Sequence, residues 1–486
     1  MCLFSESVFA KNEKAFLIFD ANLTEVVDEN KGGYAELASL LTTYRSTQTP
    51  TFFIFGGASL SPSILSSFDQ GAHIIDLLNS IAPDVMAASK GDFVYSEAEL
   101  LLRAKEATFP LVQSNIININ TGKALDGLLA SVLLEQGGYK LGFLSFMDKV
   151  VIEEYNLTNL RVGDPRHVIV KQAEAMRAQG ADLIIMHYHG NDIDPVDFIE
   201  NGTVDLVLRK NIHLDINKHK NISEHAQQVF LTDGDQVAIV ELSWQNKKSQ
   251  SLKVSLQKPK LNSFEAHPKI AKQIYSYTHQ LTPLLDEIVG LTSSPFDTTR
   301  ISLRTSENAF GNLVTDALKK YSGADVALLN SGIIRGEAMY AMNSKLIQRD
   351  IIKELPFRES VVLLNVTGTQ LISALENGFS QIEKAKGRFP QVSGIKVTYN
   401  SQAPAGKRIV SLHINDEVVE ASKVYKLATS DYVANGGDGY HALRLGKRIQ
   451  YHEERKTFIY EVVIEHIKAK KVIGPKVEGR IVDIVQ

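Results

Sequence analysis

The chain has a single cysteine among its 486 residues, Cys2, and this scarcity excludes two kinds of site. One cysteine cannot form an intrachain disulfide, and it cannot build a cysteine-based zinc or iron–sulfur site. Glycine (32) and proline (14) are also sparse, which excludes a collagen-like repeat and a low-complexity chain. An ordinary globular protein remains.

Long apolar runs are absent as well. A membrane-spanning helix needs about 20 apolar residues in a row, whereas the runs here are short pieces such as residues 16–19 and 326–329. Residues 1–14 have neither a basic region nor an apolar stretch typical of a signal peptide. As written, the sequence therefore predicts a cytoplasmic protein with no membrane partner, unless the natural start lies upstream.

Neither sign of charge dominates the chain. Lysine and arginine number 52 against 56 acidic residues, giving a net charge of -4. This balance argues against a general binder of nucleic acid, although it leaves room for a local basic cleft.

The first half alternates short apolar strands with amphipathic helices, which is typical of an α/β sheet covered on both faces. We predict helices over residues 34–44 and 167–178, and strands over residues 16–19, 51–55, 183–186 and 206–208. In such sheets the chemistry lies at the carboxyl ends of the strands. The residues that fall at these strand ends are Asp20, Gly57, His189 and His213.

A polar segment rich in Lys, Ser and Gln, residues 243–262, indicates the end of the first domain. We predict an α/β domain over residues 1–260 and a helical linker over residues 261–291. The linker would be one helix from Ala266 to Leu291, kinked near Pro283. A second α/β domain would follow over residues 292–486.

Five motifs in the second half, in this order and spacing, resemble the substrate-binding domain of the 5′-nucleotidase family over about 180 residues. They are RTSENAFGNLVTDAL (304–318), NSGIIRG (330–336), LPF (355–357), GRFPQVSG (387–394) and DYVANGGDGY (431–440). The closing VEGRIVDI (477–484) is also similar to the end of that family's members.

The resemblance implies a nucleotide pocket. Phe389 and Tyr432 lie in the two motifs that sandwich the base in the family, although both rings could equally be core. Arg335 could bind phosphate through its forked guanidinium, or form a surface salt bridge. Asp438 could accept from ribose hydroxyls or cap its own loop. The implied pocket also includes Asn330 and Gly437, and the glycines of that loop allow close backbone approach.

The first half is similar to the family's metallophosphoesterase domain, in which Asp, His and Asn side chains hold two divalent metals at strand ends. Four of the seven expected ligand positions hold other residues, namely Asn22, Ala58, Lys90 and Asn211. The position of the catalytic His holds Gly91, and that of the Asp which orients it holds Val94, so we assign no catalytic residue.

Three metal ligands would be retained, namely Asp20, His189 and His213. An ungapped alignment would put Tyr188 in the place of His189, and all the histidines could be ordinary strand-end residues. Lys90, Arg209 and Lys210 add positive charge where cations should bind. They could form an internal salt-bridge cluster with Asp20 and Asp92, or they could bind a phosphate.

These patterns leave three functional hypotheses. The first is a nucleotide-binding member of the family with weak or no metal-dependent phosphatase activity and no resident cofactor. The second is an active 5′-nucleotidase-like phosphohydrolase with Mn or Zn at a residual site. The third is an interaction protein whose pocket no longer binds a nucleotide or nucleoside.

One further departure from the family is Glu359. It stands where the family has an Asn after the LPF motif and, as a carboxylate, it cannot donate a hydrogen bond as Asn does.

Overall fold

The computed structural model of the protein describes residues 12–26, 30–155, 157, 159–210, 225–245, 248–449 and 457–485. The chain folds as two compact units. The first comprises residues 1–61, 69–152 and 157–277, and the second residues 62–68, 153–156 and 278–486. Both are mixed α/β, as the sequence predicts. None of the helices formed by the described residues has the length and hydropathy that a membrane span requires.

The first unit is built on two mixed sheets. In spatial order, the strands of the first sheet are Lys248–Gln257, Ala238–Gln245, Asn12–Asp20, Thr51–Phe55, Val85–Ala87 and Leu111–Val112. Those of the second are Gln228–Leu231, Leu206–Lys210, Leu183–His189, Tyr139–Met147 and Val132–Gln136. A small antiparallel pair joins Ile116–Asn118 to Leu160–Val162. Side chains from both large sheets form one apolar core, so the sheets pack as a sandwich.

The central strands of both sheets run parallel, and helices connect them. The helices are Tyr34–Arg45, Ala72–Ile81, Glu97–Glu106, Val150–Glu154, Pro165–Ala178 and Val196–Glu200, with 3₁₀ turns at Lys90–Phe93 and Leu261–Ser263. The short helix Ser66–Asp69 lies mostly in the segment that belongs to the second unit. The strand predicted over residues 51–55 is confirmed in full. Asp20 and His189 each end a strand, as predicted.

The predicted linker helix is too long at both ends. The helix begins at Pro268, where the fixed backbone of proline suits a first turn, and it ends at Leu285. Residues Ile288–Thr292 form a strand instead. This strand pairs with Lys345–Ile347 and Val472–Ile473, so tertiary pairing determines its structure.

Among the described residues, the second unit has three sheets of three or more strands and one two-stranded sheet. The strands of the largest are, in spatial order, Pro390–Ser393, Val326–Asn330, Val424–Ser430, Val361–Thr367 and Lys447–Arg448. A second contains Glu417–Val418, Ile409–Ile414, Ile395–Tyr399 and Ile481–Asp483, and shares its core with the first. The third contains Lys345–Ile347, Ile288–Thr292 and Val472–Ile473, and Phe296–Asp297 pairs with Met339–Tyr340.

The helices of this unit are interspersed with single strands and with runs of consecutive strands. They are Arg300–Thr305, Ala309–Ser322, Gln348–Glu354, Gly368–Phe379, Asp431–Ala434, His441–Arg444 and Ile459–Lys470. Short 3₁₀ turns span Ser331–Ile333, Ile382–Lys384 and Gly437–Gly439. The first and last of these turns belong to motifs that predict the nucleotide pocket.

Candidate functional site

A buried ion pair lies at the strand ends of the first unit. The Lys210 ammonium is 2.6 Å from Asp20 Oδ1, and both side chains are fully buried. Lys210 Nζ also donates to the carbonyls of Gly234 (3.2 Å) and Gln236 (3.0 Å), so all three of its N–H groups have acceptors. Burial raises the pKa of Asp20, and the charge of Lys210 opposes that shift. A lysine ammonium therefore supplies positive charge where the metallophosphoesterase resemblance implies a metal.

Lys210 and Arg209 point in opposite directions because both lie in the strand Leu206–Lys210, which runs two residues further than predicted. Alternate side chains of a strand face opposite sides of its sheet. Lys210 shares its face with Leu206 and Leu208, which belong to the core between the two sheets. Lys210 and Arg209 therefore do not belong to one cluster of charges, and of the salt bridges that the sequence suggested, the structure shows the one between Lys210 and Asp20.

Arg209 packs on the opposite face of the sheet, between two aromatic rings. Its guanidinium lies 5.4 Å from the ring centre of Tyr188 and 4.9 Å from that of Phe230, and it donates to the Gly190 carbonyl at 2.8 Å. The third cation, Lys90, lies close enough to Asp148 to lower the pKa of that carboxyl, although burial raises it overall. Asp148 accepts from Asn191 N at 3.4 Å, and Arg209 donates to the neighbouring Gly190 carbonyl, so Lys90 and Arg209 both lie near this segment.

Asp92 organises the loop that would carry the bridging metal ligand. Its carboxylate accepts from four backbone N–H groups, those of Ala58 (2.8 Å), Ser59 (3.0 Å), Leu60 (3.2 Å) and Ser89 (2.9 Å). The loop begins with left-handed backbone at Gly57, where a Cβ would lie 2.1 Å from the Ala87 carbonyl oxygen. Asp92 is therefore a structural acceptor for this loop, and not the salt-bridge partner of the cations that the sequence suggested.

The histidines of the predicted site have different surroundings. His187 is buried, and burial, together with the nearby His189 and Arg209, lowers its pKa to about 3, so it is neutral at physiological pH. Its Nδ1 lies 3.2 Å from Ser145 Oγ. His189 ends its strand beside Met147 of the neighbouring strand. His213, like Asn211, lies outside the described residues.

The donors that the structure describes do not fit a two-metal centre. Among the described parts of the chain, no three His, Cys, Asp or Glu side chains are grouped so as to hold a metal ion. One oxygen of Asp20 is bonded to Lys210, and Ala58 offers only a methyl group. The other oxygen, Asp20 Oδ2, is buried with no hydrogen-bond partner among those residues.

The second unit brings several of the predicted pocket residues together. Asn330 Nδ2 donates to Asp438 Oδ2 at 2.7 Å, joining motifs that lie 108 residues apart. The turn that follows Asn330 is bonded to the GRFPQVSG segment through Gly332 N and the Gly387 carbonyl (2.8 Å). The Asp438 carboxylate therefore does more than cap its own loop.

The Tyr432 ring covers the glycine-rich loop. A Cβ at Gly437 would lie 2.5 Å from Tyr432 Cζ, so only glycine permits this contact. The Tyr432 hydroxyl accepts from Asp438 N at 3.1 Å. Gly436 and Gly439 are the loop glycines with positive φ, and the nearby Asp438 also has a positive φ of 53°.

Phe389, the second predicted base-stacking ring, lies in the core. It is 1% exposed and meets Phe379 edge-on, with ring centres 5.7 Å apart. Its role against a base remains a prediction.

Arginines form the positive side of this site, and the sequence motifs identified only Arg335. The Arg335 side chain is exposed, with its guanidinium 5.3 Å from the ring centre of Phe357. Arg304 is 6% exposed, and burial, with the charges of Arg335 and Arg300, lowers its pKa to about 9. Asp438 opposes that shift, so its charge is also close. The spacing of Arg300 and Arg304, four residues apart on one helix, could have revealed this cluster.

Two other polar residues of the motifs hold the domain together. Gln391 Nε2 donates to the Leu303 and Ser306 carbonyls (2.9 Å each), and its Oε1 accepts from Asn308 N at 3.0 Å. The Glu307 carboxylate accepts from backbone N–H groups of the closing segment, at Glu478 (2.7 Å), Arg480 (2.7 Å) and Ile481 (3.3 Å). Part of the RTSENAFGNLVTDAL motif and part of the GRFPQVSG motif are therefore structural.

Comparison with known proteins links this arrangement to one family. Residues 288–444 match the family model described as 5′-nucleotidase, C-terminal domain. The matched stretch contains all the residues that the sequence predicts for the nucleotide pocket.

Three individual similarities extend beyond that stretch. The chain is 25% identical over 320 residues to the trifunctional nucleotide phosphoesterase protein YfkN of Bacillus subtilis, covering 64% of this chain and 20% of that protein. It is 25% identical over 493 residues to the 5′-nucleotidase of Mus musculus, covering 93% of this chain and 85% of that protein. The structure of a 5′-nucleotidase precursor from Thermus thermophilus has the same fold, with a TM-score of 0.77 at 19% identity, covering 97% of this chain and 100% of that one.

Proposed function

We propose that this chain, which belongs to the 5′-nucleotidase family, binds a nucleotide or nucleoside through its C-terminal domain and has weak or no metal-dependent phosphatase activity. The observation that supports this proposal most is the buried salt bridge between the Lys210 ammonium and the Asp20 carboxylate. A lysine bonded to a metal-ligand carboxylate occupies the carboxylate and repels an incoming cation. The donors needed for two metals are missing on other strand ends as well.

Nucleotide binding needs none of those donors. A base requires a flat apolar surface, which Tyr432 offers, and phosphates require cations, which Arg335 and Arg304 offer. Asp438 and Asn330 can exchange hydrogen bonds with a sugar. All these residues belong to the same compact unit. Binding would therefore persist when hydrolysis is lost.

One observation favours the alternative of an active phosphohydrolase. Asp20 Oδ2 is buried without a hydrogen-bond partner among the described residues, and a metal could take it as a ligand. An active phosphohydrolase would need at least one metal ion, bound by Asp20, His189 and His213. Metal content separates it from the proposal.

We expect the purified protein to retain well under one equivalent of Mn, Zn or Co after desalting. The physical reason is the cation already bonded to Asp20 and the missing bridging carboxylate at Ala58. Elemental analysis measures this, with hydrolysis of AMP at saturating Mn²⁺ as a parallel assay. One or two retained equivalents together with hydrolysis would show that the enzyme hypothesis is correct.

Ligand binding should depend on Tyr432 and Arg335 in different ways. Tyr432→Ala should weaken AMP and adenosine alike, by about 1–3 kcal/mol, because a stacked base loses its surface. Tyr432→Phe keeps the ring and should bind nearly as well as the wild type. Arg335→Ala should weaken AMP much more than adenosine, because it removes a phosphate contact.

Calorimetry with AMP, ADP, ATP and adenosine is the measurement. Arg349→Ala is the matched control, because Arg349 is a partly exposed arginine of the same unit that pairs with Asp286 at 2.8 Å. It should leave all four affinities unchanged. A wild type that binds none of the four at millimolar concentration would leave only the interaction-protein hypothesis.

A further inference from the structure

The turn that carries Arg335 is held by one buried residue, Glu354. Glu354 is the last residue of the helix Gln348–Glu354, and it is fully buried. Its Oε2 accepts from Gly336 N at 3.0 Å, and its backbone carbonyl accepts from Arg335 N at 2.8 Å. Two consecutive backbone N–H groups of the turn are therefore bonded to the same residue.

The other oxygen of this carboxyl group connects the turn to a short pair of strands. Glu354 Oε1 accepts from the Tyr340 hydroxyl at 2.8 Å and from the Thr298 hydroxyl at 2.9 Å. Thr298 Oγ1 also accepts from Ala338 N at 2.9 Å. The backbone from Arg335 to Ala338 is thus bonded at both ends, and this fixes the direction in which the chain leaves the turn.

The segment that begins at Glu354 also supports the side chain of Arg335. The ring centre of Phe357 lies 5.3 Å from the Arg335 guanidinium. A cation near an aromatic face is attracted to it, so the ring restricts where the guanidinium lies. Residues 354–357 therefore contact both the backbone and the guanidinium of the arginine that we propose binds phosphate.

A carboxyl group in the position of Glu354 is costly for the stability of the fold. Among the described residues, its hydrogen bonds all come from neutral donors. A buried carboxylate without a cation loses much of its hydration energy, and the C-terminal end of a helix disfavours negative charge. An apolar side chain would avoid both costs, so the placement of Glu354 is better explained by the backbone that it holds.

We propose that Glu354 is a positioning residue for Arg335, and that through Arg335 it makes the site prefer ligands with a phosphate group over ligands without one. This inference rests on the proposed function. Arg335 is exposed, and a long side chain that is free to change rotamer pays an entropy cost when it binds. Its forked contact with a phosphate therefore depends on a fixed backbone, and Glu354 itself does not touch the ligand.

Glu354→Ala should weaken the binding of AMP by about tenfold, the loss expected when a hydrogen bond to a charged group is misplaced, and should leave the affinity for adenosine unchanged. Glu354→Gln keeps one acceptor oxygen for Gly336 N and an amide that can donate to the two hydroxyls. It should therefore restore most of the affinity for AMP. Calorimetry with AMP and adenosine is the measurement, at a temperature well below the melting temperature of every variant.

Two further variants test whether Glu354 acts through Arg335. In an Arg335→Ala background, Glu354→Ala should weaken AMP binding no further, because the phosphate contact is already gone. Gly336→Ala should reproduce the effect of Glu354→Ala, because a Cβ at Gly336 would overlap the Glu354 carboxyl group. In the Glu354→Ala background, Gly336→Ala should change little, since the atoms that it would overlap are absent.

Glu376→Ala is the matched control for the loss of a backbone acceptor. The Glu376 carboxylate accepts from Arg408 N at 2.9 Å and from Ile409 N at 2.8 Å, in the same unit but on a different segment. Its removal should lower the melting temperature and leave the affinities for AMP and adenosine unchanged. Glu354→Ala would behave in the same way if Glu354 had only a structural role.

The outcomes distinguish the inference from the function on which it rests. Wild-type affinity for AMP in a folded Glu354→Ala variant would overturn the inference alone, and so would an equal loss of AMP and adenosine binding. Additive losses in the double variant with Arg335→Ala would also overturn it, because Glu354 would then act independently of that arginine. A wild type that binds neither AMP nor adenosine at millimolar concentration would overturn the proposed function itself.

Discussion

Lys210→Ala is expected to destabilise the first unit by about 3–5 kcal/mol, because the substitution leaves the buried Asp20 carboxylate without its counter-ion. Two backbone carbonyls, of Gly234 and Gln236, lose their donor at the same time. The chain has one tryptophan, Trp244, which is 1% exposed in the core of this unit. Its fluorescence during a urea titration therefore reports the unfolding of this unit.

Two matched variants make the result specific. Lys14→Ala breaks an exposed pair with Glu241 (3.0 Å) in the same unit and should cost at most about 1 kcal/mol. The double variant Asp20→Asn with Lys210→Met removes both charges and should recover most of the stability. If Lys210→Ala were as stable as Lys14→Ala, the buried pair would not be what stabilises this part of the first unit.

Asp92→Ala is expected to have a comparable effect through a different mechanism. Four backbone N–H groups would lose their acceptor, and each such group left buried costs about 1–3 kcal/mol, so we expect a total loss of at least ~3 kcal/mol. Asp92→Asn keeps one acceptor oxygen, so its stability should lie between those of the wild type and Asp92→Ala. Trp244 fluorescence in urea is again the measurement.

Asp164→Ala is the control for a single lost acceptor. Asp164 caps the helix Pro165–Ala178 through one bond, from Arg166 N at 3.0 Å, and its loss should cost about 1 kcal/mol. If Asp92→Ala and Asp164→Ala were equally stable, the four hydrogen bonds at Asp92 would not be what stabilises the loop.

The contacts among the candidate pocket residues of the second unit were largely predictable, because these residues lie in recognisable motifs. Asn330, Tyr432, Gly437 and Asp438 were all named from sequence, and three contacts connect them in the structure. Arg304 was missed although it begins one of the motifs, because nothing local indicates that its guanidinium is buried. Its exposure depends on packing against residues far away along the chain.

The N-terminal site was less predictable, and the reason is geometric. The strand ending in Arg209 and Lys210 was predicted to stop at residue 208, which left both cations in a loop. The strand in fact runs two residues further, and this places Arg209 and Lys210 on opposite faces of the sheet, because side chains alternate along a strand. A boundary error of that size is ordinary for a strand end.

The sequence by itself determined the α/β class and the motifs of the second unit, because these depend on local periodicity and on residue type. Only the tertiary structure decided which charges meet. Lys210 reaches Asp20 across 190 residues of chain, while Asp92 turns to backbone N–H groups. The physical reason is that ion pairing and desolvation depend on distance and burial in the folded state, and neither quantity is encoded in any short stretch of residues.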